Sequence, residues 1–192
     1  MVKYFLAAFL LCSFTLIYAQ ETQDTSRSGF VFGSSFGAAV SFNKFPGKTE
    51  NCGGVALDLK LGYMINPDLA ILLTTNTSSY DYEGTGRARQ RDFGVLAPAV
   101  QYWLNNKFWI LGGIGLGGDA PIFWDIKNPK ENKEETKYYN GFGAVAAFGY
   151  EVYQDDGFVL DVKLKLTYRN VDLQEGNTTG LSTAILFGVN FY

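Results

Sequence analysis

Hydrophobic and polar side chains alternate one by one through most of the chain beyond residue 29. Residues 158–169 read FVLDVKLKLTYR, in which apolar or aromatic side chains alternate with Asp, Lys, Thr and Arg. The same period appears in FVFGSSFGAAVSF at 30–42 and in VALDLKLGYMI at 55–65. A period of two places successive side chains on opposite faces of a β-strand. The pattern therefore predicts strands with one apolar face and one face that is polar or built from small residues.

The alternating segments number about eight and have about 9–13 residues each, which matches strands that cross a membrane. Short turn signals separate some of them, at 66–68, 105–107 and 154–157. Longer polar connections separate the others, near 43–52, 83–92, 118–139 and 171–180. Short turns at one end and longer loops at the other are the plan of outer-membrane barrels. We predict an all-β fold over residues 29–192, an eight-stranded antiparallel up-and-down transmembrane β-barrel.

One hairpin can be aligned from its apolar pattern. The two segments between residues 69 and 104 are predicted to pair around a tip at 83–86, which sets Leu73 opposite Leu96. Pro98 lies inside the second of these strands and has no backbone N–H to donate. We therefore expect a bulge or a locally weakened pairing at Pro98.

The faces opposite the aromatic rows combine very small residues with charges. An eight-stranded barrel has an interior just wide enough for side chains to fill, so glycines on some strands leave room for long charged side chains on others. We predict a buried network of ion pairs inside the barrel. Its members are Asp58, Lys60, Glu151, Asp161, Lys163, Lys165 and Arg169.

The opposite faces are broad and aromatic on nearly every strand. We expect an interfacial aromatic belt beside a short turn, where rings sit at the level of lipid headgroups, formed by Tyr102, Trp103, Phe108 and Trp109. The alternative is a soluble lipocalin-like barrel with its apolar faces inside. Eight inward rows of Phe, Leu and Tyr would overfill such a barrel and leave a surface of Gly and Ala, so the membrane barrel is preferred.

The N-terminus has the pattern of an export signal. Residues 1–19 contain Lys3 and then an apolar run over 4–17, which is shorter than the ~20 residues of a spanning helix. We expect cleavage after Ala19, followed by a flexible lead-in over 20–28. Cleavage would remove Cys12 and leave Cys52 as a single thiol, so no internal disulfide is expected.

The composition argues against catalysis and against nucleic acid. The chain has no His, the commonest general base and metal ligand, and its formal net charge is -3. The glycine-rich run GGIGLGG at 112–118 lacks the Lys-Ser/Thr of a phosphate-binding loop and is read as a barrel strand. We expect no catalytic site, no cofactor, no metal and no nucleic-acid partner.

Three arginines, Arg87, Arg89 and Arg91, alternate beside the predicted hairpin tip and therefore share one face. They are candidates for contact with lipopolysaccharide phosphates, because a guanidinium binds phosphate through two parallel hydrogen bonds. The alternative is ion pairing and stacking with Tyr80 and Tyr82 in a protruding sheet. The second interpretation is favoured.

The chain resembles a known family in the YAQ end of its export signal, its glycine-rich opening strand, LGYMINPDLAI at 61–71 and the closing LFGVNFY. It is similar to the small eight-stranded outer-membrane β-barrel proteins of Gram-negative bacteria, in the OmpA/OmpX-like group, and especially to the form common in Bacteroidetes. The resemblance implies a location in the cell outer membrane. It also implies that an aromatic residue closing the last strand, Phe191 or Tyr192, is read by the barrel-insertion machinery.

The functional expectation is a non-enzymatic outer-membrane protein with a structural or surface-interaction role. Its extracellular loops, chiefly 83–92 and 118–139, would supply any binding. The expected partners are outer-membrane lipid and lipopolysaccharide, together with the insertion machinery during assembly, and the barrel is expected to be a monomer. The alternative is a small channel or carrier for a hydrophobic or small polar solute.

Overall fold

The computed structural model describes residues 27–82, 89–122, 138–173 and 176–192. Eight antiparallel strands form a closed barrel in which consecutive strands pair and the first strand pairs with the last. Within the described ranges, no helix has the length and hydrophobicity needed to span a bilayer. The strands are β1 (Phe30–Phe45), β2 (Lys48–Asn66), β3 (Leu69–Tyr82), β4 (Arg89–Trp103), β5 (Phe108–Pro121), β6 (Tyr139–Asp155), β7 (Phe158–Leu173) and β8 (Gly176–Phe191).

The predicted eight-stranded up-and-down barrel is confirmed, and the predicted export signal lies outside the described residues. We call the end of the barrel with the connections 67–68, 104–107 and 156–157 the turn end. The opposite end, with the connections 46–47, 83–88, 122–138 and 174–175, is the loop end. The β6–β7 turn contains Asp156 and Gly157 at φ 34° and 83°, in agreement with the turn signal at 154–157.

The strands are longer than the alternation predicts. β2 has 19 residues, and β1 pairs with it up to Phe45 and Lys48, leaving only a two-residue connection where a loop over 43–52 was expected. β7 and β8 likewise pair as far as Leu173 and Gly176. That expectation was wrong because the outward faces of these segments are polar, so hydropathy alone does not distinguish them from loops, although Phe45, Val171 and Leu173 are buried on the inward rows. Their backbone groups nevertheless remain paired within the sheet.

A continuous apolar belt covers the outside of the barrel. Phe36 is 66% exposed, Leu61 57% and Ile185 56%, which marks a surface that faces lipid. The inward rows are buried and combine polar and charged side chains with apolar ones. We define the apolar belt by the outward residues of the segments 30–42, 55–65, 71–73, 96–104, 108–116, 142–152, 164–168 and 181–191.

The predicted register of the β3–β4 hairpin was wrong by two residues. Leu73 lies opposite Pro98, not Leu96, and the strands remain paired as far as Tyr82. An even shift leaves every side chain on its predicted face, which explains why the apolar match did not reveal the error. The weakened pairing at Pro98 is confirmed, since the ladder to β5 skips Ala97 and Pro98 with the same register on both sides.

Inward glycines make room for large neighbours. Gly149 on β6 lies opposite Trp109 on β5, and the indole of Trp109 occupies the space that a side chain at position 149 would need. Gly112 on β5 faces outward, and a Cβ atom added there would have no neighbour within 4 Å. These two glycines therefore provide a matched pair of substitutions, one inside the barrel and one outside.

Gly149→Val is expected to lower the free energy of unfolding by about 1–3 kcal/mol, because the Trp109 indole cannot leave a packed interior without displacing its neighbours. Equilibrium urea unfolding in detergent micelles measures the effect. Gly112→Val is the control and should leave the unfolding midpoint unchanged. Equal midpoints for both variants would show that the interior tolerates the added volume.

Candidate functional site

The candidate site is the polar interior of the barrel, where described charged side chains form three layers. The turn-end layer consists of Arg27, Trp103, Glu151 and Tyr192. The middle layer consists of Asp58, Lys60, Asp161, Lys163 and Lys165. The loop-end layer consists of Tyr80, Arg91, Asp119 and Arg169.

Asp58 organises the middle layer. Its carboxylate lies 2.6 Å from the Lys163 ammonium and 2.5 Å from the Lys165 ammonium, and the Thr74 hydroxyl donates to it at 3.1 Å. Lys165 also donates to the Thr74 hydroxyl oxygen at 3.0 Å. These four side chains are almost completely buried. Two ammonium groups therefore share one carboxylate in a site where every charge depends on its partners.

Lys60 and Asp161 lie in the same layer but do not form an ion pair. The Lys60 ammonium donates to Gln101 Oε1 at 3.0 Å and lies 4.9 Å from the centre of the Trp109 ring. The Asp161 carboxylate is buried, and within the described part of the chain neither of its oxygens accepts a hydrogen bond. Position inside the barrel follows from the alternation, whereas the choice of partner does not.

Asp119 is the centre of the loop-end layer and was not predicted. Its carboxylate accepts hydrogen bonds from Arg91 and from the Tyr80 hydroxyl, and it lies 2.6 Å from the Arg169 guanidinium. Arg169 also lies over the Phe93 ring at 4.2 Å. Asp119 falls in the segment expected to be a loop. The signal that could have found it is the inward row of β5, which continues beyond the apolar belt as Gly115, Gly117 and Asp119.

The structure corrects the proposed surface role of Arg91. Its side chain is 2% exposed and points into the barrel towards Asp119. The reason is that β4 continues inward-facing alternation beyond the apolar belt, so Arg91 follows Phe93 and Val95 on the buried row. Arg89 is described only as a backbone position of β4 opposite Tyr82, and Arg87 lies outside the described residues.

Glu151 is the shared hydrogen-bond acceptor of the turn-end layer. It accepts hydrogen bonds from Arg27 at 2.9 Å, from the Trp103 indole N–H at 2.6 Å and from the Tyr192 hydroxyl at 2.9 Å. Arg27 belongs to the predicted flexible lead-in, yet its side chain is buried and its guanidinium lies 4.9 Å from the centre of the Trp103 ring. The lead-in prediction was therefore wrong at Arg27, while residues 20–26 lie outside the described ranges.

The predicted aromatic belt is wrong for both tryptophans. Trp103 and Trp109 are each 1% exposed and lie inside the barrel, whereas Tyr102 and Phe108 face outward. Adjacent residues of a strand point to opposite faces, so neither Tyr-Trp nor Phe-Trp could place both rings in lipid. The same rule separates the two candidate assembly residues, because Phe191 faces outward and Tyr192 turns towards Glu151.

Neither a family model nor a curated protein matches the sequence. Solved structures do share the fold. The attachment invasion locus protein Ail of Yersinia pestis is 16% identical with a TM-score of 0.56, over 86% of this chain and 100% of Ail. Neisserial surface protein A is 15% identical with a TM-score of 0.58, over 85% of this chain and 97% of that protein. This chain therefore has the fold of small outer-membrane β-barrels.

Asp58→Asn is expected to lower the free energy of unfolding by roughly 3–5 kcal/mol, because it leaves Lys163 and Lys165 buried without a counter-charge. Adding Lys163→Met to that variant should recover part of the loss by removing one of the two unpaired charges. Urea unfolding in micelles measures both effects.

The control for this experiment is Asp172→Asn at the exposed loop end, which should change the free energy of unfolding by less than about 0.5 kcal/mol. If Asp58→Asn unfolds at the same urea concentration as Asp172→Asn, the middle layer does not stabilise the barrel.

Proposed function

We propose that this protein is a non-enzymatic anchor of the Gram-negative outer membrane, which presents its loop end to the outside for interactions at the cell surface. The observation that supports this proposal is the filled interior, where three layers of paired charges and aromatic rings cross the barrel. Export through a cleaved signal peptide over residues 1–19 and a monomeric state belong to the same proposal. So does the finer resemblance to the Bacteroidetes form of the family.

The three filled layers of the interior favour a structural anchor, which holds surface loops in the membrane, over a channel. Water or a solute moving along the axis would have to pass the Asp119–Arg169 pair, the Asp58–Lys165 pair and the Arg27–Glu151 pair in turn. Each pair is almost completely buried, and opening any one of them would expose an uncompensated charge. A structure of this kind holds loops in place and resists passage along its axis.

The proposed binding elements are shorter than the sequence suggests. Residues 89–92 and 118–121 are strand, so the loops available for binding reduce to 83–88 and 122–138. Short turns face the periplasm in outer-membrane barrels, which supports an extracellular position for these loops. The proposed partners are lipopolysaccharide and outer-membrane lipid, with Arg87 and Arg89 as the remaining arginine candidates.

Planar-bilayer recording of the refolded chain tests the anchor proposal. The native barrel should remain closed, whereas Asp58→Ala combined with Lys163→Ala and Lys165→Ala should raise the conductance because the middle layer is removed. Asp172→Asn is the control and should remain closed. Steady conductance of the native protein would contradict the anchor and support the alternative of a small channel or carrier.

Binding at the loops is tested in the same preparation by replacing residues 123–137 with a Gly-Ser linker, which leaves β5 and β6 intact. Retention of lipopolysaccharide by the refolded protein should fall severalfold while the bilayer recording stays unchanged. Unchanged retention would remove this loop from the proposal.

We propose further that Phe191, not Tyr192, is the ring read by the barrel-insertion machinery. Phe191 faces outward and lies 5.6 Å from the Phe158 ring, where an assembly factor can reach it, while Tyr192 is held by Glu151. Phe191→Ala should reduce the amount of folded, heat-modifiable barrel in outer-membrane fractions severalfold. Tyr192→Phe should leave assembly unchanged, and the opposite order of effects would assign the signal to Tyr192.

A further inference from the structure

A cavity of about 350 Å³ opens on the outer wall of the barrel near the loop end. Its walls are mainly apolar and include Val55 and Leu57 of β2 and the ring of Tyr138. Its polar groups are the Asp92 carboxylate and the hydroxyls of Thr77 and Ser79. An apolar recess of this volume with a few convergent polar groups is the usual form of a site for a small ligand.

The recess follows from the sequence of the surrounding strands. The outward row next to Thr77 continues as Gly94 on β4 and Gly118 on β5, so no side chains fill the wall there. The ladder between β2 and β3 ends at Ala56 and Ser78, and beyond it the Val55 N–H donates to Ser79 Oγ at 3.1 Å. The wall is therefore thin and indented between the apolar belt and the loop end.

Asp92 is a carboxylate without a counter-ion in this recess. It lies four residues beyond Leu96, where the apolar belt ends on β4, and hence outside the membrane-spanning segment. In the described ranges no cation lies within ion-pair distance of it. The neighbouring acid Asp119 is paired with both Arg91 and Arg169, so these two guanidiniums are directed towards Asp119.

We propose that this recess binds a lipid amine of the surrounding bilayer, with its ammonium head at Asp92 and its alkyl tail along the outer wall of β2. The unpaired carboxylate supplies the charge that an ammonium complements, and the hydroxyls of Thr77 and Ser79 can accept its remaining hydrogen bonds. An anionic head is disfavoured, because it would face Asp92 at close range.

The tail assignment rests on the outward row of β2. Val55 and Leu57 are 63% and 55% exposed, and the row continues through Leu59 and Leu61 into the apolar belt. A chain that leaves the recess along this row remains on apolar surface until it reaches the bilayer interior. The ligand is thus an amphipath from the membrane.

Binding should strengthen as the pH rises. Burial of Asp92 and, next, the charge of Asp119 raise the pKa of the Asp92 carboxyl to about 7, while the Arg169 guanidinium and a hydrogen bond from the Ser78 backbone oppose them. Tyr138 also lines the recess. From pH 6 to pH 8 the ionised fraction of Asp92 rises from roughly one tenth to nine tenths, so affinity for an ammonium should rise roughly tenfold.

The test uses the full chain refolded into phosphatidylcholine nanodiscs, with dodecylamine, dodecanol and dodecyl sulfate as probes. Native mass spectrometry measures how much of each probe the ejected barrel retains. The native protein should retain dodecylamine at least tenfold better than the other two probes, and better at pH 8 than at pH 6. Asp92→Asn should abolish this preference.

Two further variants complete the test. Ala120→Phe fills the recess and leaves the Asp92 charge in place, so it should also abolish retention, which keeps the proposal testable if Asp92→Asn misfolds. Asp172→Asn removes an exposed carboxylate elsewhere at the loop end and should retain dodecylamine like the native protein. Equal retention by Asp92→Asn, equal loss in Asp172→Asn, or a preference for dodecanol or dodecyl sulfate would overturn the proposal. Conductance and lipopolysaccharide retention test the anchor role separately.

Discussion

Closure of the sheet into a ring of eight strands is the constraint on which the rest of this structure depends. A closed ring has no edge, so every residue of a strand points either to the outside or to an interior that side chains must fill. Charges on the inward rows then have no access to bulk water and require partners from other strands. Asp58 of β2, held between Lys163 and Lys165 of β7, is the clearest result of that requirement. The outward apolar belt is its complement, because the same alternation sends Phe, Leu and Ile to lipid.

A structural property could be predicted from the sequence when it follows from the alternation of apolar and polar residues along each strand. The strand number, the barrel and the inward position of residues such as Lys163 follow from it directly. Partner choice does not, since Asp161 shares the inward row of Lys163 but makes no ion pair in the described chain. Trp103 shows the opposite case, because strict alternation required it to be buried, and its aromatic character was given too much weight against that rule.

The strand ends beyond the apolar belt could not be predicted from the sequence. Hydropathy indicates which side chains are buried in lipid or in a core, but not which backbone groups are paired. The paired segments near Phe45 and Lys48 have a polar outward face, so they resembled loops although their backbone hydrogen bonds are those of a sheet. Asp119 was missed for this reason. The barrel wall consequently extends beyond the apolar belt. The connections at the loop end therefore begin from paired strands and not at the membrane surface.

The hydrogen bonds that converge on Glu151 also bear on the order in which parts of the barrel fold. Arg27 and Glu151 are 124 residues apart in sequence, and Glu151 also binds Tyr192 after the last strand. Contacts of such long sequence separation carry a large entropic cost of chain closure and form after local hairpins. We expect the turn-end layer to be absent from the folding transition state. Its contacts then retard unfolding without accelerating folding, so this one carboxylate contributes mainly to the lifetime of the closed barrel.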